Sequence, residues 1–272
     1  MENYKKTGIL NLDGFQIQAF PDDLTYQYLT YLYSIACSIL MDPVRRYSKI
    51  TTGYSMGIYA ALYHAGSISI SQGLDLICGA YSSMLDVVEE NEWGMGFIIG
   101  LSSNDLNEII RSKSLSVEIT NKNSDNAFSV SGNAVELDLL LDSARTEGAL
   151  SAHRLHASLP YHHSILWQSS TKFLEIIEDF EIRAPEIPII SVIDQQWITT
   201  SSQVKEELFR NLHQPLNWEN TQRTLVNSGV TTFVECGIPG GLARNSRFID
   251  VNHHFIPTNQ FSDHVRSLLD QP

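Results

Sequence analysis

Leu29, Leu32, Ile35, Ala36, Ile39 and Leu40 recur at helical spacing, which predicts a buried core helix closed by Asp42-Pro43. The apolar run from Leu29 to Met41 is too short for a bilayer span of about 20 residues. Downstream the pattern changes. β-Branched Ile50, Thr51 and Thr52 predict a buried parallel strand, Gly53 to Gly57 a tight turn, and Ile58 to His64 a glycine-free helix that stops at Gly66. From Trp93 the order reads Met95 to Leu101 as strand, Ser103 to Ser112 as helix, Leu115 to Thr120 and Ala127 to Ser131 as strands, Ala134 to Thr146 as helix and Ser151 to Ser158 as strand. This βαββαβ order predicts a ferredoxin-like insertion, with Asn123-Ser124-Asp125-Asn126 as the turn between its middle strands. An α/β unit resumes after it with Ile189 to Ile193 as strand, Gln203 to Asn211 as helix and Thr231 to Cys236 as strand.

Gly53-Tyr54-Ser55-Met56-Gly57 puts a serine at the apex of a strand, turn and helix, in the G-x-S-x-G spacing of a nucleophile elbow. Each flanking glycine is expected to lack a Cβ that would clash where the strand folds back on the helix. The turn exposes the Ser55 hydroxyl and aims the free N–H groups of the helix at whatever the oxygen attacks. Acyl chemistry is the natural use. Because a serine hydroxyl is a poor nucleophile at neutral pH, a base must stand near it. Leu159-Pro160-Tyr161-His162-His163-Ser164 offers the best candidate, and adjacent histidines diverge on most backbones, so at most one of His162 and His163 faces Ser55.

Composition narrows the class. With 272 residues and 43% hydrophobic content, the chain can bury a large core in one domain, or in one domain with an insertion. A formal charge of −13 disfavours nucleic acid and anionic membranes as partners. Cys37, Cys78 and Cys236 are odd in number and widely spaced, which predicts buried thiols in a reduced, cytoplasmic setting. The polar start, Met1 to Lys6, has no signal-peptide character. The pairs His153/His156 and His253/His254 lack further ligands, so no metal is expected, and no nucleotide or redox cofactor motif is present.

Six ordered blocks resemble the malonyl-CoA:acyl carrier protein transacylase family and the acyltransferase domains of polyketide synthases. They are the elbow, Trp93-Gly94-Met95 to Gly100-Leu101, Asn123-Ser124 to Ser131-Gly132, the His162 motif, Asn211-Leu212-His213-Gln214-Pro215-Leu216-Asn217-Trp218, and Glu235-Cys236-Gly237-Ile238-Pro239-Gly240. The resemblance implies an α/β fold: an α/β-hydrolase-like large subdomain, residues 1–92 and 159–272, with an inserted ferredoxin-like small subdomain, residues 93–158, and the active site in the cleft between them. It implies Ser55 as the acylated nucleophile, His162 as the general base, and Asn211 as the residue whose backbone carbonyl orients the histidine. Counting forward from Gly148 selects His162, whereas matching the following His-Ser pair selects His163. Met56 N–H is the expected oxyanion donor, and Tyr161 stands where the family tunes acyl-chain tolerance.

Two departures stand out. Thr7 to Gln16 differs from the family's oxyanion-loop start, and Gly14-Phe15 is the candidate replacement. The arginine that pairs with a malonyl carboxylate in the family is Ala80 here, and no Lys or Arg occurs from Ile50 to Ile110. A monocarboxylic acyl thioester is therefore the expected substrate. The expected partners are an acyl-CoA and an acyl carrier protein of fatty acid or polyketide biosynthesis, with Arg244 and Arg247 as candidate docking charges. A carrier-protein thioester hydrolase using the same pair, and a non-catalytic scaffold, are the alternatives.

Overall fold

The computed structural model describes residues 22–88, 92–238, 241–246, 249 and 253–270, with the side chains of 86–88 outside that set. Gly14, Phe15 and Arg247 lie outside the described residues.

Helix α1 spans Asp23–Met41, and Asp22 caps it by accepting a hydrogen bond from Thr25 N at 2.7 Å. Such a cap stabilises a helix by about 1 kcal/mol. The helix ends before Asp42-Pro43 as expected, but it buries a different face. Leu29, Leu32, Ile39 and Leu40 are 36%, 42%, 47% and 38% exposed, while Tyr31, Ile35, Cys37 and Met41 are buried. Polar contacts and close approach decide the orientation. Ser34 and Ser38 lie on the buried side, Ser38 Oγ bonds His64 Nδ1 at 2.8 Å, and the Tyr31 hydroxyl donates to the Ile70 carbonyl at 3.3 Å. Rotating the leucines inward would break both bonds inside the protein.

Helices α2 (Gly57–His64) and α3 (Ile70–Val88) follow. Gly66, at φ 78°, closes α2 in the left-handed conformation that favours glycine. The expected strand before the elbow is reduced to a parallel bridge between Thr51 and Ile189.

The inserted unit comprises β1 (Trp93–Ile99), α4 (Ser103–Ser112), β2 (Val117–Ser124), β3 (Ala127–Asn133), α5 (Ala134–Thr146) and β4 (Ser151–Arg154). Both helices match their expected bounds. The strand order is β4-β1-β3-β2, with β3 antiparallel to β1 and β2, and β4 antiparallel to β1, which is the ferredoxin-like arrangement. Ile98, Leu106, Phe128, Val130, Leu137 and Leu140 form its core. One expectation fails locally. Asn123 and Ser124 belong to β2 rather than to the turn, and both are buried, because register shifts along β2 and a partner from the elbow accommodate their polarity.

The chain continues through α6 (Trp167–Glu178), β5 (Ile189–Ile190), β6 (Trp197–Ile198), α7 (Ser201–Asn211), β7 (Leu216–Asn217), α8 (Trp218–Asn227), β8 (Thr232–Val234), α9 (Leu242–Ser246), β9 (His254–Ile256) and α10 (Phe261–Leu269). Strand β7 pairs parallel with β2, so the inserted sheet gains a fifth strand from the C-terminal part. Several expected strands are shorter than their apolar runs: β5 stops at Ile190 and β8 at Val234. The large core gathers Tyr31, Tyr59, Leu62, Ile77, Phe173 and Ile189. Among the cysteines, Cys37 is buried, whereas Cys78 and Cys236 are partly exposed, and all three are free. No helix among the described residues is long and apolar enough to cross a membrane.

Candidate active site

Ser55 stands at the N-terminal edge of α2 with a left-handed backbone, φ 54°. A side chain held there is strained, and such strain persists only where the surroundings over-determine it. The surroundings do so. Gly57 N donates to the Tyr54 carbonyl at 2.9 Å, Ile58 N to the Ser55 carbonyl at 3.1 Å, and Tyr59 N to the Met56 carbonyl at 3.3 Å. The two elbow glycines are not equivalent. A Cβ on Gly53 would lie 2.2 Å from Ile58 N, whereas a Cβ on Gly57 would meet nothing within 4 Å. The expectation of a clash therefore holds at Gly53 and is corrected at Gly57, whose side faces open space.

The Ser55 hydroxyl lies 2.7 Å from His162 Nε2. Of the two adjacent histidines, His162 meets the serine. His163 turns away: its Nδ1 accepts from Ile165 N at 3.1 Å, and its ring meets Trp93 edge-on at 5.7 Å. His162 also has a left-handed backbone, φ 65°, and its N–H donates to the Leu212 carbonyl at 2.8 Å. Burial pushes its imidazole down to about 4, with the backbone of Asn211 and Gln214 opposing that shift. The ring is therefore neutral at physiological pH, the form that accepts a proton.

Asn211, the last residue of α7, joins the pair. Its side-chain Nδ2 donates to the Ser55 carbonyl at 3.4 Å. It thus touches the serine through its side chain, whereas the buried His162 Nδ1 has no hydrogen-bond partner among the described residues. Met56 follows the serine, and its N–H donates to no acceptor among the described residues, which leaves it available to an incoming oxygen. Tyr161 turns its hydroxyl away from the pair, toward α1. There it accepts from Gln27 Nε2 at 2.8 Å and donates to Asp23 Oδ2 at 3.2 Å. Ala80 is 3% exposed in the large core and brings no polar group to the site.

Three contacts have no counterpart in the expected set. Tyr54 OH donates to Asn123 Oδ1 at 2.9 Å, tying the elbow to β2 of the inserted unit, and its ring meets Trp218 edge-on at 5.6 Å. The Leu212 carbonyl anchors the His162 backbone. Asp23 and Gln27 hold Tyr161. Of these, Tyr54, Asn123, Trp218, Leu212 and Tyr161 sit in the motif blocks, and Asp23 and Gln27 do not. Those two depend on tertiary proximity.

No protein-family model matches the chain. In sequence it is similar to the malonyl CoA-acyl carrier protein transacylase of Bacillus subtilis, 28% identical over 193 residues, 70% of this chain. The chain spans 61% of that relative's length. In fold it is similar to the malonyl CoA-acyl carrier protein transacylase of Coxiella burnetii, with a TM-score of 0.82 and 25% identity over 90% of this chain and 80% of that one. A type II polyketide synthase malonyl-transacylase, solved in complex with its acyl-carrier protein, has the same fold at a TM-score of 0.82 and 21% identity, covering 90% of this chain and 81% of that one. The resemblance drawn from the six motif blocks extends to sequence and fold alike, and the α/β architecture with a smaller inserted subdomain agrees with it.

Proposed function

We propose that this protein is an acyltransferase that moves an acyl group from a CoA thioester to the phosphopantetheine thiol of an acyl carrier protein through an acyl-serine intermediate. The observation that carries the reading is the 2.7 Å contact between the Ser55 hydroxyl and a buried, neutral His162 at a strained elbow. His162 Nε2 takes the Ser55 proton as Oγ attacks the thioester carbonyl, and the Met56 N–H receives the developing oxyanion. The tetrahedral adduct collapses, the C–S bond breaks, and His162 returns the proton to the departing thiolate. A second thiol then gives its proton to His162 and attacks the ester carbonyl, and the C–O bond to Ser55 breaks as His162 passes that proton to Oγ. Asn211 Nδ2 donates to the Ser55 carbonyl, and the Asn211 backbone carbonyl is the proposed acceptor for His162 Nδ1, which has no hydrogen-bond partner among the described residues. The carrier protein as partner follows from the relatives' names, from the carrier protein bound to the polyketide relative, and from the exposed Arg244 on α9 as a candidate docking charge. The division into residues 1–92 with 159–272, and 93–158, is part of the same proposal.

The acyl group is monocarboxylic in this reading. A malonyl carboxylate needs a cation, and a carboxylate buried without one costs several kcal/mol. Ala80 supplies none, and the charged group that contacts Tyr161, beside the base, is the Asp23 carboxylate. Intact-mass analysis with acetyl-, longer acyl- and malonyl-CoA tests the proposal, with Ser55→Ala as control. An adduct on the wild type that passes to a fresh carrier thiol, formed faster from acetyl- or longer acyl-CoA than from malonyl-CoA, is expected. Release as free acid would replace transfer by hydrolysis, absence of any adduct would remove catalysis, and a malonyl preference would overturn the selectivity.

A further inference from the structure

The segment from Ser158 to His163 has no helix or strand of its own, yet it must hold His162 at φ 65°. A strained backbone in a loop relaxes unless its flanks are pinned. Downstream, Ser164 is pinned by Glu118 of β2, which accepts from Ser164 N at 2.9 Å and from its hydroxyl. At the histidine itself, the Leu212 carbonyl takes the N–H. Upstream, one carboxylate oxygen gathers the contacts. Asp23 Oδ2 accepts from Ser158 N at 2.9 Å, from Ser158 Oγ at 2.9 Å and from Tyr161 OH at 3.2 Å. Gln27, one helical turn along α1, donates to the same Tyr161 hydroxyl. The Tyr161 carbonyl is met by Ser131 Oγ of β3 at 3.4 Å.

We infer that Asp23 is a positioning residue for the Ser55–His162 pair: its carboxylate sets the upstream side of the histidine loop and so fixes the approach of Nε2 to Oγ. This rests on the reading of Ser55 and His162 as the reactive pair. Asp23 does not touch the reacting atoms, and it acts through Ser158 and Tyr161. The chemistry suits the task, because an ionised carboxylate accepts several hydrogen bonds at once and each is stronger than its neutral counterpart. The neighbouring Asp22 provides an internal control. It caps α1 through Thr25 and, among the described residues, makes no bond to the loop, so removing it weakens the helix without unpinning Ser158 or Tyr161.

The test is the second-order rate at which a fluorophosphonate labels Ser55, read by intact mass, together with the melting midpoint. The probe needs the activated serine and no acyl carrier or CoA recognition. Misplacing a catalytic group by about 1 Å can cost on the order of 10²-fold. Asp23→Ala is expected to slow labelling at least about tenfold, in line with that geometric sensitivity. Asp23→Asn, which keeps an acceptor oxygen, is expected to recover most of the wild-type rate. Asp22→Ala is expected to lower the melting midpoint while labelling at the wild-type rate. Equal labelling of Asp23→Ala and wild type, or parallel loss in the Asp22 and Asp23 alanine variants, overturns the positioning role. A wild type that does not label at Ser55 overturns the reactive pair itself, and the inference with it.

Discussion

Ser55 and His162, 107 residues apart in the chain, meet at 2.7 Å with both backbones left-handed, at φ 54° and φ 65°. Each end of this hydrogen bond is therefore held against a conformational preference. A left-handed residue with a Cβ costs roughly 1–2 kcal/mol, and glycine escapes that cost while giving up about 0.5–1 kcal/mol of chain entropy. Ser55→Ala and Ser55→Gly both remove the hydroxyl and abolish acylation. They should differ in stability, with the glycine variant more stable by about 1 kcal/mol in urea denaturation. Equal midpoints would show that the elbow is not strained at this residue.

The two elbow glycines separate in the same kind of experiment. Gly53→Ala forces a Cβ to 2.2 Å from the Ile58 backbone nitrogen, which no side-chain movement relieves. A loss above about 3 kcal/mol is expected, in the range of overpacking and backbone displacement, together with loss of Ser55 labelling. Gly57→Ala meets open space at the first turn of α2 and should change stability by no more than about 0.5 kcal/mol. Urea midpoints for the pair decide it. Equal sensitivity would return the symmetric reading of the motif.

This asymmetry marks where the sequence was legible and where it was not. The elbow and the inserted unit are local patterns, and the helices at Ser103–Ser112 and Ala134–Thr146 have the bounds that their periodicity predicts. The buried face of α1 was not legible, because both of its faces are rich in apolar residues, and hydrogen bonds to His64 and Ile70 choose between them. Asn123 reads as a turn residue by propensity, but register shifts along β2 and two partners, the Tyr54 hydroxyl 69 positions away and the Ser129 hydroxyl on β3, accommodate it in a buried strand. The Leu212 carbonyl that holds His162 has no residue-type signature, since any residue supplies a carbonyl.

The depressed imidazole sets a pH signature. Because burial holds His162 down to about 4, the rate of Ser55 acylation should stay flat from pH 8 to about 5 and fall tenfold per unit below about 4. An unperturbed histidine would begin that fall near pH 6.5. Stability moves in the same direction. In the unfolded chain the group protonates near 6.5 while the folded one stays neutral, so its contribution is complete above 6.5 and is lost as pH falls through about 4. The loss attributable to this residue is roughly 3 kcal/mol. His162→Gln, which does not titrate, should flatten that part of the stability curve. Single-turnover acylation against pH checks the catalytic half, and a rate that bends near 6.5 would refute the buried, neutral base.

Glu207 predicts the opposite pH trend. It lies on α7, four residues before Asn211, 5% exposed, and accepts from Ser191 Oγ at 2.9 Å. Burial raises its carboxyl to about 7, with the Ser191 hydroxyl and the Arg210 charge opposing that rise. Its folded value lies above the unfolded one, so its contribution is present in full below about 4.5 and is lost as pH rises through 7. Above that, a buried carboxylate must ionise at a cost. Glu207→Gln keeps an acceptor for Ser191 and removes the ionisation. The variant should match wild type at pH 4 and exceed it by about 2–3 kcal/mol at pH 8, measured as urea unfolding free energies at the two pH values. If the glutamine variant is instead less stable at pH 8, the carboxylate is held as an anion by Arg210, and attraction outweighs burial on this helix.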